Sequence, residues 1–225
     1  HLAKYANGKL IVYSVKEVGE SGGTIAGKDG AEYQVTYNNY DVTNSYTPEE
    51  TEVSGSKTWD DANNQDGKRP ESITIQLLAD GKEVAGKSVV LTGENVSYGW
   101  EHLAKYANGK LIVYSVKEVG ESGGTIAGKD GAEYQVTYNN YDVTNSYTPE
   151  ETEVSGSKTW DDANNQDGKR PESITIQLLA DGKEVAGKSV VLTGENVSYG
   201  WEHLAKYANG KLIVYSVKEV GESGG

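Results

Sequence analysis

The chain has no cysteine, no methionine and no phenylalanine. Without cysteine there is no disulfide framework, no zinc–thiolate site and no thiol nucleophile. An extracellular location fits that absence only if some other device stabilises the fold. With no initiator methionine, the sequence reads as an excised piece of a longer chain, which leaves room for a signal peptide or wall anchor outside it. Long apolar runs are missing too. Stretches such as Leu111-Ile112-Val113-Tyr114 fall far short of the ~20 residues of a membrane helix. Basic residues are scarce, 21 against 34 acidic ones, for a net charge of −13. Phosphate contacts want a basic stripe, so nucleic acid is not an expected partner.

What the chain does have is repetition. His1 to Glu101 returns unchanged as His102 to Glu202, and His1 to Gly23 appears again as His203 to Gly225. A 101-residue period is too long for a short solenoid unit and suits one whole domain per repeat. An undiverged duplication also argues against a single catalytic domain. Polar, acidic, Pro-containing segments at Tyr46 to Glu52 and Tyr147 to Glu153 mark connectors. The expected organisation is the C-terminal half of a repeat at 1–48, a linker at 49–52 and a complete domain at 53–148. A second linker at 149–153 and the N-terminal part of a further repeat at 154–225, lacking its last strand, complete the chain.

The complete repeat reads as all-β. Val53, Gly55, Lys57 and Trp59 alternate with small polar residues, the period of a half-buried strand. Ile73/Ile75/Leu77, Val96/Tyr98/Trp100, Ile112/Tyr114/Val116/Glu118, Tyr134/Val136/Tyr138 and Tyr141/Val143/Asn145/Tyr147 repeat the pattern. Asp80-Gly81 fits a tight hairpin turn, whose two central positions need positive φ. Only His102 to Asn108 has helical character, ended by Asn108-Gly109. Short strands at this spacing favour a β-sandwich.

Three polar residues share apolar faces: Lys57 with Val53 and Trp59, Glu118 with Val116, and Asn145 with Val143. Either they sit at strand ends and reach water, or they point inward and must satisfy one another, because a buried unpaired charge is costly.

Several motifs decide for the second reading through a resemblance. Ser54-Gly55-Ser56-Lys57-Thr58-Trp59-Asp60-Asp61, the loop Asn64 to Pro70, Tyr114 to Glu118 and Val143 to Pro149 follow the order seen in Cna B-type domains. The whole period resembles the repeated B region of collagen-binding surface adhesins of Gram-positive bacteria. The resemblance implies an immunoglobulin-like (Cna B-type, transthyretin-like) β-sandwich. It also implies an internal isopeptide bond between Lys57, the nucleophile, and Asn145, the electrophile, promoted by Glu118. The partial copies hold Glu17 with Asn44, and Lys158 with Glu219.

From the same resemblance the expected function is structural. The chain is a spacer repeat of a cell-wall-anchored surface adhesin, outside the cell, with no cofactor and no metal. Its one reaction happens once per domain, so it is not an enzyme. The alternative is a repeat that itself binds a host or matrix ligand through avidity. Neighbouring identical repeats are the expected partners. Head-to-tail joining between chains, Lys158 to Asn44, is a further expectation. The run Asp60 to Gly67 misses calcium-loop spacing, with its Gly one place late and no closing Glu, and reads as a solvated polar loop. His102 has no ligand-spaced partner and reads as a surface residue.

Overall fold

Alternation becomes the eight strands that build the two main sheets of the complete repeat. The computed structural model describes residues 1–220. The strands are β1 (Glu50–Asp60), β2 (Ile73–Ala79), β3 (Lys82–Leu91), β4 (Val96–Ala104), β5 (Tyr114–Glu118), β6 (Thr125–Ala127), β7 (Glu133–Asn139) and β8 (Asp142–Ser146). They form two sheets. One has five strands in the order β6-β7-β8-β1-β4, the other three in the order β5-β2-β3. The pairs β5–β2, β2–β3, β6–β7 and β7–β8 are antiparallel, whereas β8 runs parallel to β1. The first and last strands of the repeat therefore lie side by side. Their register sets Lys57 opposite Val143 and Trp59 opposite Asn145.

Residues at period 2 point inward from both sheets. Val53, Ile75, Leu77, Val116, Tyr134, Val136 and Val143 are all buried. The β2–β3 hairpin turns at Asp80 and Gly81, both at positive φ as a type I′ turn requires. Gly55 is needed for another reason. A Cβ there would sit 2.0 Å from the Tyr141 carbonyl oxygen, so only glycine lets the chain entering β8 approach β1 this closely.

One expectation is overturned. Residues 102–108 hold no helix: β4 runs on to Ala104, and Tyr106–Ala107 pairs with Lys110–Leu111 in a small hairpin. The local Leu-Ala-Lys-Tyr-Ala composition favours helix, but pairing of the extended chain wins, a tertiary override of a weak propensity. Helical turns among the described residues are two short 3-10 pieces, Lys28–Gly30 and Lys129–Gly131.

The partial copies follow the same plan. Strands Thr24–Ala26, Glu32–Asn38 and Asp41–Ser45 form a three-stranded sheet ahead of β1. After β8 come β9 (Glu151–Lys158), β10 (Ile174–Ala180), β11 (Lys183–Leu192), β12 (Val197–Ala205) and β13 (Tyr215–Glu219). Here β9 pairs with β12, and β10 lies between β11 and β13. The chain divides into two compact units: His1–Thr51 with His102–Ile112, and Glu52–Glu101 with the chain from Val113 on.

Candidate functional site

β1, β5 and β8 each carry one polar side chain into the apolar interior. Lys57 and Glu118 are 1% exposed and Asn145 is fully buried. Lys57 and Asn145 come from the adjacent parallel strands, Glu118 from the facing sheet. The Asn145 side-chain amide donates to Glu118 Oε1 at 3.0 Å. Lys57 Nζ donates to the Thr58 carbonyl at 2.9 Å and rests 3.9 Å from the centre of the Trp59 ring. Two acceptor atoms, Glu118 Oε2 and Asn145 Oδ1, are buried without a hydrogen-bond partner among the described residues. The backbone N–H of Glu118 donates to the Tyr138 hydroxyl at 2.9 Å, which fixes the end of β5.

Burial dominates the electrostatics. Loss of hydration pulls the Lys57 pKa down to about 8. Glu118 and Asp61 oppose that shift and Arg69 adds to it. Burial pushes the Glu118 carboxyl above the usual range, against the Asn145 hydrogen bond and the Lys57 charge. Both groups are thus driven toward their neutral forms. A neutral amine is a nucleophile, and a neutral carboxylic acid is a hydrogen-bond donor.

A second polar cluster escaped sequence reasoning. The loop after β1 is a folded clasp, and the expectation of a solvated polar loop is corrected: Asp61 is 2% and Asp66 4% exposed. Asp61 accepts two hydrogen bonds from the Arg69 guanidinium, at 2.6 and 3.0 Å, one from Asn64 N–H and one from the Tyr134 hydroxyl. Arg69 stacks 5.1 Å from the Trp59 ring centre, and Tyr134 meets Trp59 edge-on. The clasp therefore supports the ring on which Lys57 rests. An acidic residue eight places before an arginine is too weak a pattern to have revealed it.

The copies of the site are incomplete and wetter. Asn44 donates to Glu17 at 3.0 Å in an exposed setting. Lys158 lies 3.5 Å from Glu219, with both side chains about a quarter exposed, at 24% and 26%. His102 is exposed and lies 2.7 Å from Glu50.

The description "Cna protein B-type domain" fits residues 53–146 and again 154–224. The chain belongs to this family. It is 40% identical over 219 residues to a collagen adhesin of Staphylococcus aureus, covering 97% of this chain and 17% of that protein. It therefore spans about a sixth of that relative. Among solved structures it is similar to two B repeat units (B1B2) of the collagen binding protein of Staphylococcus aureus, at 38% identity and a TM-score of 0.63. That match covers 97% of this chain and 54% of the other.

Proposed function

We propose that this Cna B-type chain is a structural spacer of an extracellular surface adhesin, anchored to the cell wall in the full protein. Each complete repeat is an immunoglobulin-like sandwich locked by an isopeptide bond between Lys57 and Asn145. The observation that carries this reading is the meeting of an amine, an acid and an amide in one dry core, with two acceptors left over. A merely structural cluster would satisfy those acceptors, since an unmet buried polar atom costs about 1–3 kcal/mol.

The chemistry balances without a cofactor. A flip of the Asn145 amide places Oδ1 against the protonated Glu118, which polarises the carbonyl. The lone pair of neutral Lys57 Nζ attacks Asn145 Cγ. Glu118 relays a proton from Nζ to the departing Asn145 nitrogen, the Cγ–Nδ2 bond breaks and ammonia leaves. Holding the pair on neighbouring strands supplies much of the rate, since aligned intramolecular groups gain ~7–11 kcal/mol. Parallel pairing of β1 and β8 then sends tension along the chain through a covalent bond, leaving the core unloaded.

Intact mass spectrometry under denaturing conditions tests this. The parent chain is expected to weigh less than its sequence by one ammonia per bond. Lys57→Ala, Glu118→Ala and Asn145→Ala are each expected to restore the full mass. A parent at full sequence mass sinks the proposal.

The half-sites extend the same reading. Lys158 with Glu219 lacks the amide, and Glu17 with Asn44 lacks the amine. Two chains supply the missing member to each other by joining Lys158 to Asn44. A covalent ladder on denaturing gels of concentrated protein is the expected result, abolished by Asn44→Ala. A single monomer band at all concentrations counts against it.

A further inference from the structure

The connector between repeats is tied on both sides. Asp66, at the tip of the clasp, accepts the Glu150 N–H at 2.7 Å and the Tyr147 hydroxyl at 3.2 Å. The carbonyl of the same Glu150 accepts the N–H of Lys206, in the following repeat, at 3.0 Å, and its carboxylate meets the Lys206 ammonium at 2.6 Å. One residue later the chain is already strand, Glu151 opposite Ala205. Glu150 is thus bonded to the repeat before it and the repeat after it.

Beside this pin, the two repeats touch directly. Gly67 of the clasp and Gly210 of the small hairpin Tyr207–Ala208/Lys211–Leu212 approach so closely that a Cβ on Gly67 would lie 2.6 Å from Gly210 Cα. Both glycines have positive φ, +69° and +73°. The Gly210 N–H donates to the Gln65 carbonyl at 2.9 Å, and Lys68 Nζ lies 5.4 Å from the centre of the Tyr207 ring. The linker half of this arrangement recurs at the earlier junction. There Lys105 N–H donates to the Glu49 carbonyl at 3.0 Å, and Lys105 Nζ meets the Glu49 carboxylate at 2.6 Å. The same contacts at both junctions make them a property of the repeat.

We propose that the clasp of each repeat is a docking surface for the small hairpin of the next, so that consecutive repeats form a rigid joint pinned at Glu150. The occupant is a second copy of the repeat itself, and glycine at positions 67 and 210 is the condition of contact. An acidic, Pro-containing connector would otherwise act as a loose tether. Here the Tyr147 and Glu150 N–H groups and the Glu150 carbonyl are engaged, and the orientation of one repeat is handed to the next. The inference deepens the spacer reading but is independent of the cross-link, because none of the joint residues belongs to the Lys57–Glu118–Asn145 site.

Absence of cysteine makes the test direct. Ser88→Cys with Ser189→Cys places one spin label on an exposed strand position in each of the two repeats. Pulsed electron–electron distance measurement on the full chain is expected to give a single narrow distribution. Gly67→Val and Asp66→Ala are expected to broaden it. Gly168→Val is the control: Gly168 is the same position in the following copy, at φ +62°, where a Cβ meets nothing within 4 Å, and it is expected to leave the distribution narrow. A broad distribution in the parent overturns the proposal. So does a narrow one in Gly67→Val, or equal broadening by Gly168→Val. Mass spectrometry of the same samples reads the cross-link separately, so failure of one reading is distinguishable from failure of the other.

Discussion

Asn145→Ala is expected to destabilise the complete repeat by about 4–5 kcal/mol, the chain-entropy value for opening a covalent loop that runs from Lys57 to Asn145. Thermal or denaturant unfolding against the parent measures it. Asn145→Ala also removes the hydrogen bond to Glu118, so pH separates the two effects. In the unlinked variant Lys57 is a free amine. Folded, it holds its proton only below about 8; unfolded, it holds it up to its ordinary 10.5. Between those values the unfolded chain binds more protons, so stability rises with pH and is lost as pH falls through that window. The full excursion is on the order of 3 kcal/mol. In a parent linked as proposed the nitrogen is an amide that does not titrate, so this slope is expected to be absent. Equal pH slopes in parent and variant would show that Lys57 is free in both, and the bond would be refuted.

Asp61→Ala is expected to cost about 3–5 kcal/mol, because it takes both close hydrogen bonds from the nearly buried Arg69 and leaves it only a 3.6 Å ion pair with the exposed Glu94. The Asp61 side chain is 1% exposed and that of Arg69 10%. The same substitution at Asp162 is the internal comparison. Its side chain is 31% exposed, and its described hydrogen bonds come from Arg170 and Asn165. A smaller loss is expected there. Burial works against the Asp61 charge, but the Arg69, Asn64 and Tyr134 hydrogen bonds win and hold its pKa below the usual carboxylate range. The stabilisation is therefore present above the ordinary aspartate pKa and is lost as pH falls through the folded value. Denaturant unfolding from neutral pH down into the acid range reads both effects. Similar losses at Asp61 and Asp162 would show that the clasp matters only locally.

The strands were legible because burial on one face imposes period 2, and Val53, Ile75, Leu77, Val116 and Val143 obey it. Alternation marked Lys57, Glu118 and Asn145 as polar residues in apolar registers but left strand ends open to them; the resemblance chose the inward reading, and all three are buried. The clasp was not legible. Asp61, Asp66 and Arg69 look like any solvated loop until Tyr134, Trp59 and the connector, all distant in sequence, close around them. The segment 102–108 misled because its composition speaks for helix while its pairing partner lies nearby in the chain but invisible to a periodicity argument.

Sequence alone determined the repeat, its all-β character, and which three side chains are out of place on their strands. Those follow from local chemistry and one-dimensional pattern. Tertiary structure decided which sheet each strand joins, that β1 and β8 run parallel, and that Glu150 is gripped from both sides. Hydrogen bonds and close backbone approaches between residues far apart in the chain leave no periodic trace, so only the folded chain reveals them.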